Sequence, residues 1–201
     1  MIAAPILAFL AAFLIGSIPF GYVIGRLFYR TDIRAQGSGN IGAMNALRTL
    51  GRGGAIAVLL LDALKGFVPT SWALWYPGDQ ILAALIATGA VLGHCFSPWL
   101  RFKGGKGVAT SFGAIFALSW PAGLVAAGGW LAGAAFTGYS SVGSMLGSIL
   151  AVPAIWIFTR SLPETAYGIF AALLILFTHR DNIGRLRAGT EGPIRLSKPR
   201  T

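Results

Sequence analysis

Twenty-five residues pass before the first charged side chain: Met1 to Gly25 holds no Asp, Glu, Lys or Arg, and Arg26 ends the run. A helix rising 1.5 Å per residue needs about 20 apolar residues to cross the ~30 Å hydrocarbon layer of a bilayer. Comparable runs recur to the end of the chain, so that 55% of its 201 residues are hydrophobic and 11% charged, against about 25% charged in soluble domains. The sequence therefore predicts an all-α integral membrane protein with one membrane-embedded domain, 1–201. The opening run lacks the basic n-region and small-residue cleavage site of a signal peptide and is expected to stay as the first helix.

The formal charge of +10 does not indicate a nucleic-acid ligand, because the basic residues sit in short segments flanking apolar runs. Fourteen of the sixteen fall in three clusters: Arg26 to Arg52, Arg101 to Lys106, and Arg180 to Arg200. The positive-inside rule places all three in the cytoplasm, which fixes the parity of the crossings between them. Two spans, broken at Pro77-Gly78-Asp79, carry the chain from the first cluster to the second. The 71 residues from Val108 to Thr178 make four crossings of about 18 residues. Breaks fall at Trp120-Pro121, at Thr137 to Ser141 and at Arg160 to Glu164. The expectation is seven transmembrane helices, N-terminus outside and C-terminus cytoplasmic. Many of the 28 glycines are expected to serve helix packing, as in Gly143-Ser144-Met145-Leu146-Gly147-Ser148.

Gly37-Ser38-Gly39-Asn40-Ile41-Gly42 spells G-x-G-x-x-G. A dinucleotide fingerprint needs a buried strand in front of it, and Arg30-Thr31-Asp32-Ile33-Arg34 is not one. The loop instead offers amides, the side chains of Ser38, Asn40 and Asn45, and Arg48, whose guanidinium can fork onto two phosphate oxygens. Gly104-Gly105-Lys106-Gly107 offers the same chemistry: an amide nest, the start of a helix near Val108, and a lysine. Leu100 and Gly107 rule out a Walker A pattern. The plain alternatives are a capped turn and a positively charged membrane-flanking turn. Two such loops on one membrane face favour adjacent anion sites. A third segment, Thr178 to Gly192, supplies His179, Asn182, Arg185 and Glu191, with an interfacial cap as the plain alternative for His179. Ser144 is open between packing and a lining role.

Asp62 and Lys65, three apart within an apolar run, read as a self-compensating pair. His94 beside Cys95 suggests a thiol nucleophile, but the sequence supplies no third, orienting group. No D-x-x-D cluster, G-x-S-x-G elbow or His-x4-Asp pair is present, so neither an oxygen-ligand metal site nor acyl-serine chemistry is expected. A transporter or channel for a phosphorylated metabolite is the alternative reading, since broken helices aimed at anions also serve transport.

Gly37 to Asn45, Gly93-His94 through Phe102 to Thr110, and His179-Arg180-Asp181-Asn182-Ile183-x-Arg185-Leu186-x-x-Gly189-x-Glu191 resemble the three signature segments of the PlsY family, the bacterial acyl-phosphate:glycerol-3-phosphate acyltransferases. Met44, Ser97 and Asp181 depart from the usual pattern without removing a phosphate ligand. The resemblance implies a seven-helix enzyme of the bacterial inner membrane with its active site at the cytoplasmic face. It implies acyl transfer from acyl phosphate to glycerol 3-phosphate without an acyl-enzyme, no cofactor and no metal, and coupling to the enzyme that makes acyl phosphate. By position, Ser38, Arg48, Lys106, His179 and Asn182 carry the catalytic role. Gly39, Asn40, Asn45, Gly104, Gly105, Gly107, Ser144 and Glu191 carry substrate binding.

Overall fold

The structure, a computed structural model, describes residues 3–75 and 78–194. Ten α-helices and two 3-10 turns make up the regular structure, with no strand among the described residues. α1 (Ala3–Gly16) and α2 (Phe20–Tyr29) form one apolar segment interrupted before Pro19; α3 (Ala43–Thr49) is a short helix leading into α4 (Gly51–Trp75). There follow α5 (Gln80–Cys95), α6 (Val108–Leu118), α7 (Trp120–Thr137), α8 (Ser140–Thr159), α9 (Leu162–Thr178) and α10 (Arg180–Arg187).

The breaks expected from the sequence are where helices end. Asp79 caps α5, its Oδ1 accepting from Ile81 N at 2.8 Å and Leu82 N at 3.1 Å. Ser119 ends α6 and caps α7, with Pro121 in the first turn where its missing N–H costs nothing. Gly138 and Arg160 close α7 and α8 in left-handed conformations. Pro77 lies outside the described residues.

Among the described residues, four segments are long and apolar enough to cross a bilayer by themselves: Ala3–Tyr29, Gly51–Trp75, Gln80–Leu100 and Ser140–Thr159. A fifth arises if α9 and α10, bent by 53° at His179, are taken as one. α6, at 11 residues, reaches only about 16 Å. Seven spans are expected; between Val108 and Thr178 α8 is long and apolar enough by itself, whereas α6 and α9 are shorter and α7, at 18 residues, is less apolar. The outward faces carry Leu7, Leu60, Leu131, Phe136 and Leu173, all exposed, as suits a hydrocarbon solvent.

Two apolar clusters hold the bundle. The larger runs through α1 and α4 to α9, with Val91, Ile115, Ile155 and Tyr167 fully buried. The smaller, around Ile24, Ile33, Ile41, Ala46, Leu50 and Val58, seats the first glycine-rich loop on α2 and α4. In the α7–α8 hairpin a Cβ at Gly143 would stand 2.3 Å from Trp130 O, and one at Gly147 2.4 Å from Ala126 O. The small-xxx-small spacing thus works as helix packing. The Asp62–Lys65 pair is also as expected: Lys65 Nζ lies 2.7 Å from Asp62 Oδ1 with both side chains buried. Lys65 Nζ also donates to Ile18 O at 2.9 Å, a carbonyl at the α1–α2 break. Ser97 Oγ donates to Ser17 O at 2.6 Å at the same break.

Gly143→Val should lower the thermal midpoint in detergent by several degrees, reflecting overpacking of about 1–3 kcal/mol. Gly128→Val, at a position with nothing within 4 Å, should leave it near wild type.

Candidate active site

The first loop is organised by Asn45. This buried side chain accepts Ser38 N at 2.8 Å and donates through Nδ2 to Ile33 O, Gln36 O and Asn40 O at 2.7–3.2 Å. Asn40 Oδ1 accepts Gly42 N at 2.8 Å, and Gly39 N goes to Gln36 O at 3.0 Å. Gly37 and Gly39 take left-handed φ of 58° and 70°, and at Gly37 any Cβ would sit 2.2 Å from Asn45 Oδ1. These bonds correct the expectation of a loop that presents its amides to an anion. The amides of Ser38, Gly39 and Gly42 are consumed within the loop, and Asn40 and Asn45 are spent on its shape. What faces outward is the exposed Ser38. Asp32 fastens the base of the loop, with Arg34 at 2.7 Å and Arg26 at 3.3 Å. Its bond to Arg34 holds the carboxyl down at about 2.

The second loop receives a similar correction. Gly104 N donates to Cys95 O and Gly105 N to His94 O, each at 3.0 Å. These two glycines permit close approach to the end of α5, where a Cβ at either would fall 2.0–2.1 Å from His94 atoms. They do not cradle an anion with their amides. Gly107, at φ 84°, turns the chain into α6, whose first-turn N–H groups and dipole end remain beside Lys106.

The third segment gathers the cations. Lys106 Nζ donates to Asn182 Oδ1, and Lys106 O accepts from Thr178 Oγ1 at 3.0 Å. Glu191 accepts from Asn182 Nδ2 (2.6 Å) and Ser141 Oγ (2.8 Å) on one oxygen, and from Arg185 Nε (2.7 Å) on the other. Three donors hold its carboxyl below the usual range despite burial. Glu191, expected to bind substrate, is thus engaged with the protein, and a carboxylate would in any case repel phosphate. Arg48 Nη2 donates to Gly192 O at 3.3 Å, joining α3 to the segment after α10. Ile194 N bonds Gly138 O at 2.8 Å, laying that segment across the α7–α8 turn.

His179 is buried at the α9–α10 bend, its Nδ1 2.8 Å from Ile175 O. A carbonyl only accepts, so Nδ1 carries the proton and Nε2 the lone pair. Burial, then the Lys106 charge, press its pKa to about 4, and the ring is neutral at pH 7. Lys106 is lowered to about 8, by burial first and then by Arg185, with Arg48 contributing. Arg48, Lys106 and Arg185 thus share one electrostatic neighbourhood.

The structure brings together Arg48, Lys106, His179, Asn182 and Glu191 of the expected set. It joins to them Arg185, which the sequence places in the third segment without a stated role, and Ser141, noted only as a helix break. Asn182 and Arg185 lie three apart, on one face of α10. Ser144, one turn beyond Ser141, bonds Ser140 O of its own helix at 2.8 Å. Ser38 donates its amide to Asn45 Oδ1, and its loop leads into α3, which carries Arg48.

Fold and site together define a multi-pass membrane protein whose helix ends converge on a cluster of cationic side chains. The family model described as glycerol-3-phosphate acyltransferase matches residues 6–189, and the chain belongs to that family. Curated glycerol-3-phosphate acyltransferases of Rhodopseudomonas palustris (45% identical, covering 96% of this chain and 98% of that one) and Nitrobacter winogradskyi (47%, 94% and 95%) are similar along their lengths. So are crystal structures of PlsY (YgiH), an integral membrane glycerol 3-phosphate acyltransferase. Its glycerol 3-phosphate form has TM-score 0.90 and 35% identity, covering 96% of each chain. Its lysophosphatidic acid form has TM-score 0.87 and 34% identity, covering 94% of this chain and 95% of that one. The chain is therefore an enzyme of this family, and the transporter reading falls.

The lowered Lys106 pKa has two opposite consequences. From about pH 8 to 10.5 the unfolded chain holds a proton the folded chain has released, so stability rises with pH in that window. Affinity for a phosphate-bearing substrate should fall over the same window as the ammonium is lost. kcat/KM should show a basic limb near pH 8, and Lys106→Arg should move that limb upward by more than a unit. A limb left in place would assign it to another group.

Proposed function

We propose that the chain transfers a fatty acyl group from acyl phosphate to the hydroxyl of glycerol 3-phosphate, releasing inorganic phosphate and 1-acyl-glycerol 3-phosphate. The observation that carries this reading is the convergence of Arg48, Lys106 and Arg185 on the adjoining Gly192, Asn182 and Glu191 at one end of an apolar bundle. Two phosphate-bearing substrates need such a set of cations, and an acyl phosphate is already activated. The protein's task is then to hold both groups in line and stabilise the charge passing to the leaving phosphate.

Arg48 and Lys106 are assigned to the phosphates, with Arg185 placed by Glu191 to reinforce them. Ser38, exposed above α3, is assigned to the glycerol 3-phosphate side, and Ser144 to the acyl-phosphate side after leaving its intrahelical bond. Asn182 fixes the Lys106 ammonium. His179, neutral and with Nε2 free to accept, orients the attacking hydroxyl; its low basicity favours a substrate phosphate as proton acceptor. Cys95 is buried against Gly107, which supports direct transfer without a thioester intermediate.

The positive-inside rule supports seven spans, with α6 and α7 as short crossings and the cation cluster at the cytoplasmic face of the bacterial inner membrane. The acyl donor then comes from an enzyme that makes acyl phosphate on the same side.

Purified protein with glycerol 3-phosphate should release one inorganic phosphate per acyl group transferred from acyl phosphate. Acyl-CoA or acyl-carrier protein alone should not replace the donor, and a chelator should not stop turnover. Arg48→Ala and Lys106→Ala should each lose about 10–150-fold, the worth of one charged contact. His179→Ala should lose less than the 10²–10⁴-fold of an obligate general base. Efficient turnover with acyl-CoA as sole donor would sink the proposal.

A further inference from the structure

Beneath the Lys106 loop lies a buried polar cluster that the proposed reaction does not use. Asp62 and Lys65 on α4 and His94 on α5 are each no more than 4% exposed. His94 Nδ1 stands 3.6 Å from Asp62 Oδ1, the oxygen that Lys65 approaches to 2.7 Å. The opposite edge of the imidazole meets the loop. A Cβ at Gly105 would fall 2.0 Å from His94 Nε2, 2.7 Å from Cε1 and 2.9 Å from Cδ2. Gly105 N donates to His94 O at 3.0 Å, so backbone and ring hold the same residue. Gly105 is not among the glycines of positive φ; the ring, not the backbone conformation, is what excludes alanine. The next residue is Lys106.

We propose that His94, backed by Asp62 and Lys65, is a positioning residue whose ring sets the height of the Gly104–Gly107 loop and so the place of the Lys106 ammonium at the substrate phosphate. The inference rests on the role given to Lys106 above. Ordinary contact is 3.4–4 Å, so an added methyl at 105 must push loop and ring apart by more than 1 Å. A misplacement of that size in a substrate-positioning group costs about 100-fold in rate.

The test is a double-mutant cycle with Gly105→Ala and His94→Asn. Asparagine keeps an amide at the Nδ1 position facing Asp62 and removes the edge that touches Gly105. Gly105→Ala alone should lower kcat/KM about 100-fold, whereas in the His94→Asn background the same change should cost no more than about threefold. Thermal midpoints of the four ligand-free proteins in detergent should show coupling of the same sign. Equal loss of turnover in both backgrounds would overturn the proposal. So would coupling in the midpoints without coupling in turnover, since the contact would then be structural only. A wild-type protein inactive with acyl phosphate would instead overturn the functional reading, and glycerol 3-phosphate affinity of the four proteins would then decide the positioning proposal by the same comparison.

Discussion

The Glu191 carboxylate is the interaction on which the site depends. It accepts from Ser141 on α8 and from Asn182 and Arg185 on α10, and Asn182 in turn takes Lys106 from the second loop. One anion therefore fixes the positions of two cations and joins α8, α10 and, through Asn182, the second loop. Lys106 and Arg185 repel each other, and without a compensating charge between their supports they would move apart. The carboxylate is nearly inaccessible, with its side chain 7% exposed. It lends order to the cluster through three bonds to protein donors.

A second constraint comes from the surroundings. A buried polar group needs a partner wherever no water reaches it, and the bundle supplies partners across helix breaks. The α1–α2 interruption before Pro19 leaves carbonyls that Lys65 and Ser97 satisfy. The end of α5 gives two carbonyls to Gly104 and Gly105. The polar end of the protein is thus tied to its apolar frame by hydrogen bonds at the places where helices stop, which is also where the loops must be held still.

Much of this was legible in the sequence. Apolar run length and three basic clusters gave the membrane class, and Gly138, Arg160 and Pro121 fall where helices end. Arg48, Lys106, His179 and Asn182 could be singled out because charge and amide chemistry can be read from residue type, and the structure gathers them in one cluster. The glycines were harder. Their residue type says that a backbone is close to something, not to what: at Gly37 and Gly105 it is Asn45 and His94, side chains of the protein itself. Asn45 and Glu191, expected on the substrate side, are bonded within the protein; a sequence lists donors and acceptors without saying which are already paired. Ser141 was missed because its partner lies 50 residues away. Seven crossings follow from charge parity, whereas length and apolarity pick out four or five among the described residues; α6 and α7 make up the difference from five, and α9 with them the difference from four.

The central claim is that Glu191 organises the cations and does not itself contact substrate. The most direct measurement is the thermal midpoint of ligand-free Glu191→Gln protein in detergent, beside its affinity for glycerol 3-phosphate. A neutral amide cannot replace a carboxylate that accepts three bonds, so stability should fall by about 1.5–3 kcal/mol before any ligand is present, and affinity should fall with it. An unchanged midpoint with affinity alone reduced would place Glu191 against the substrate and contradict the account.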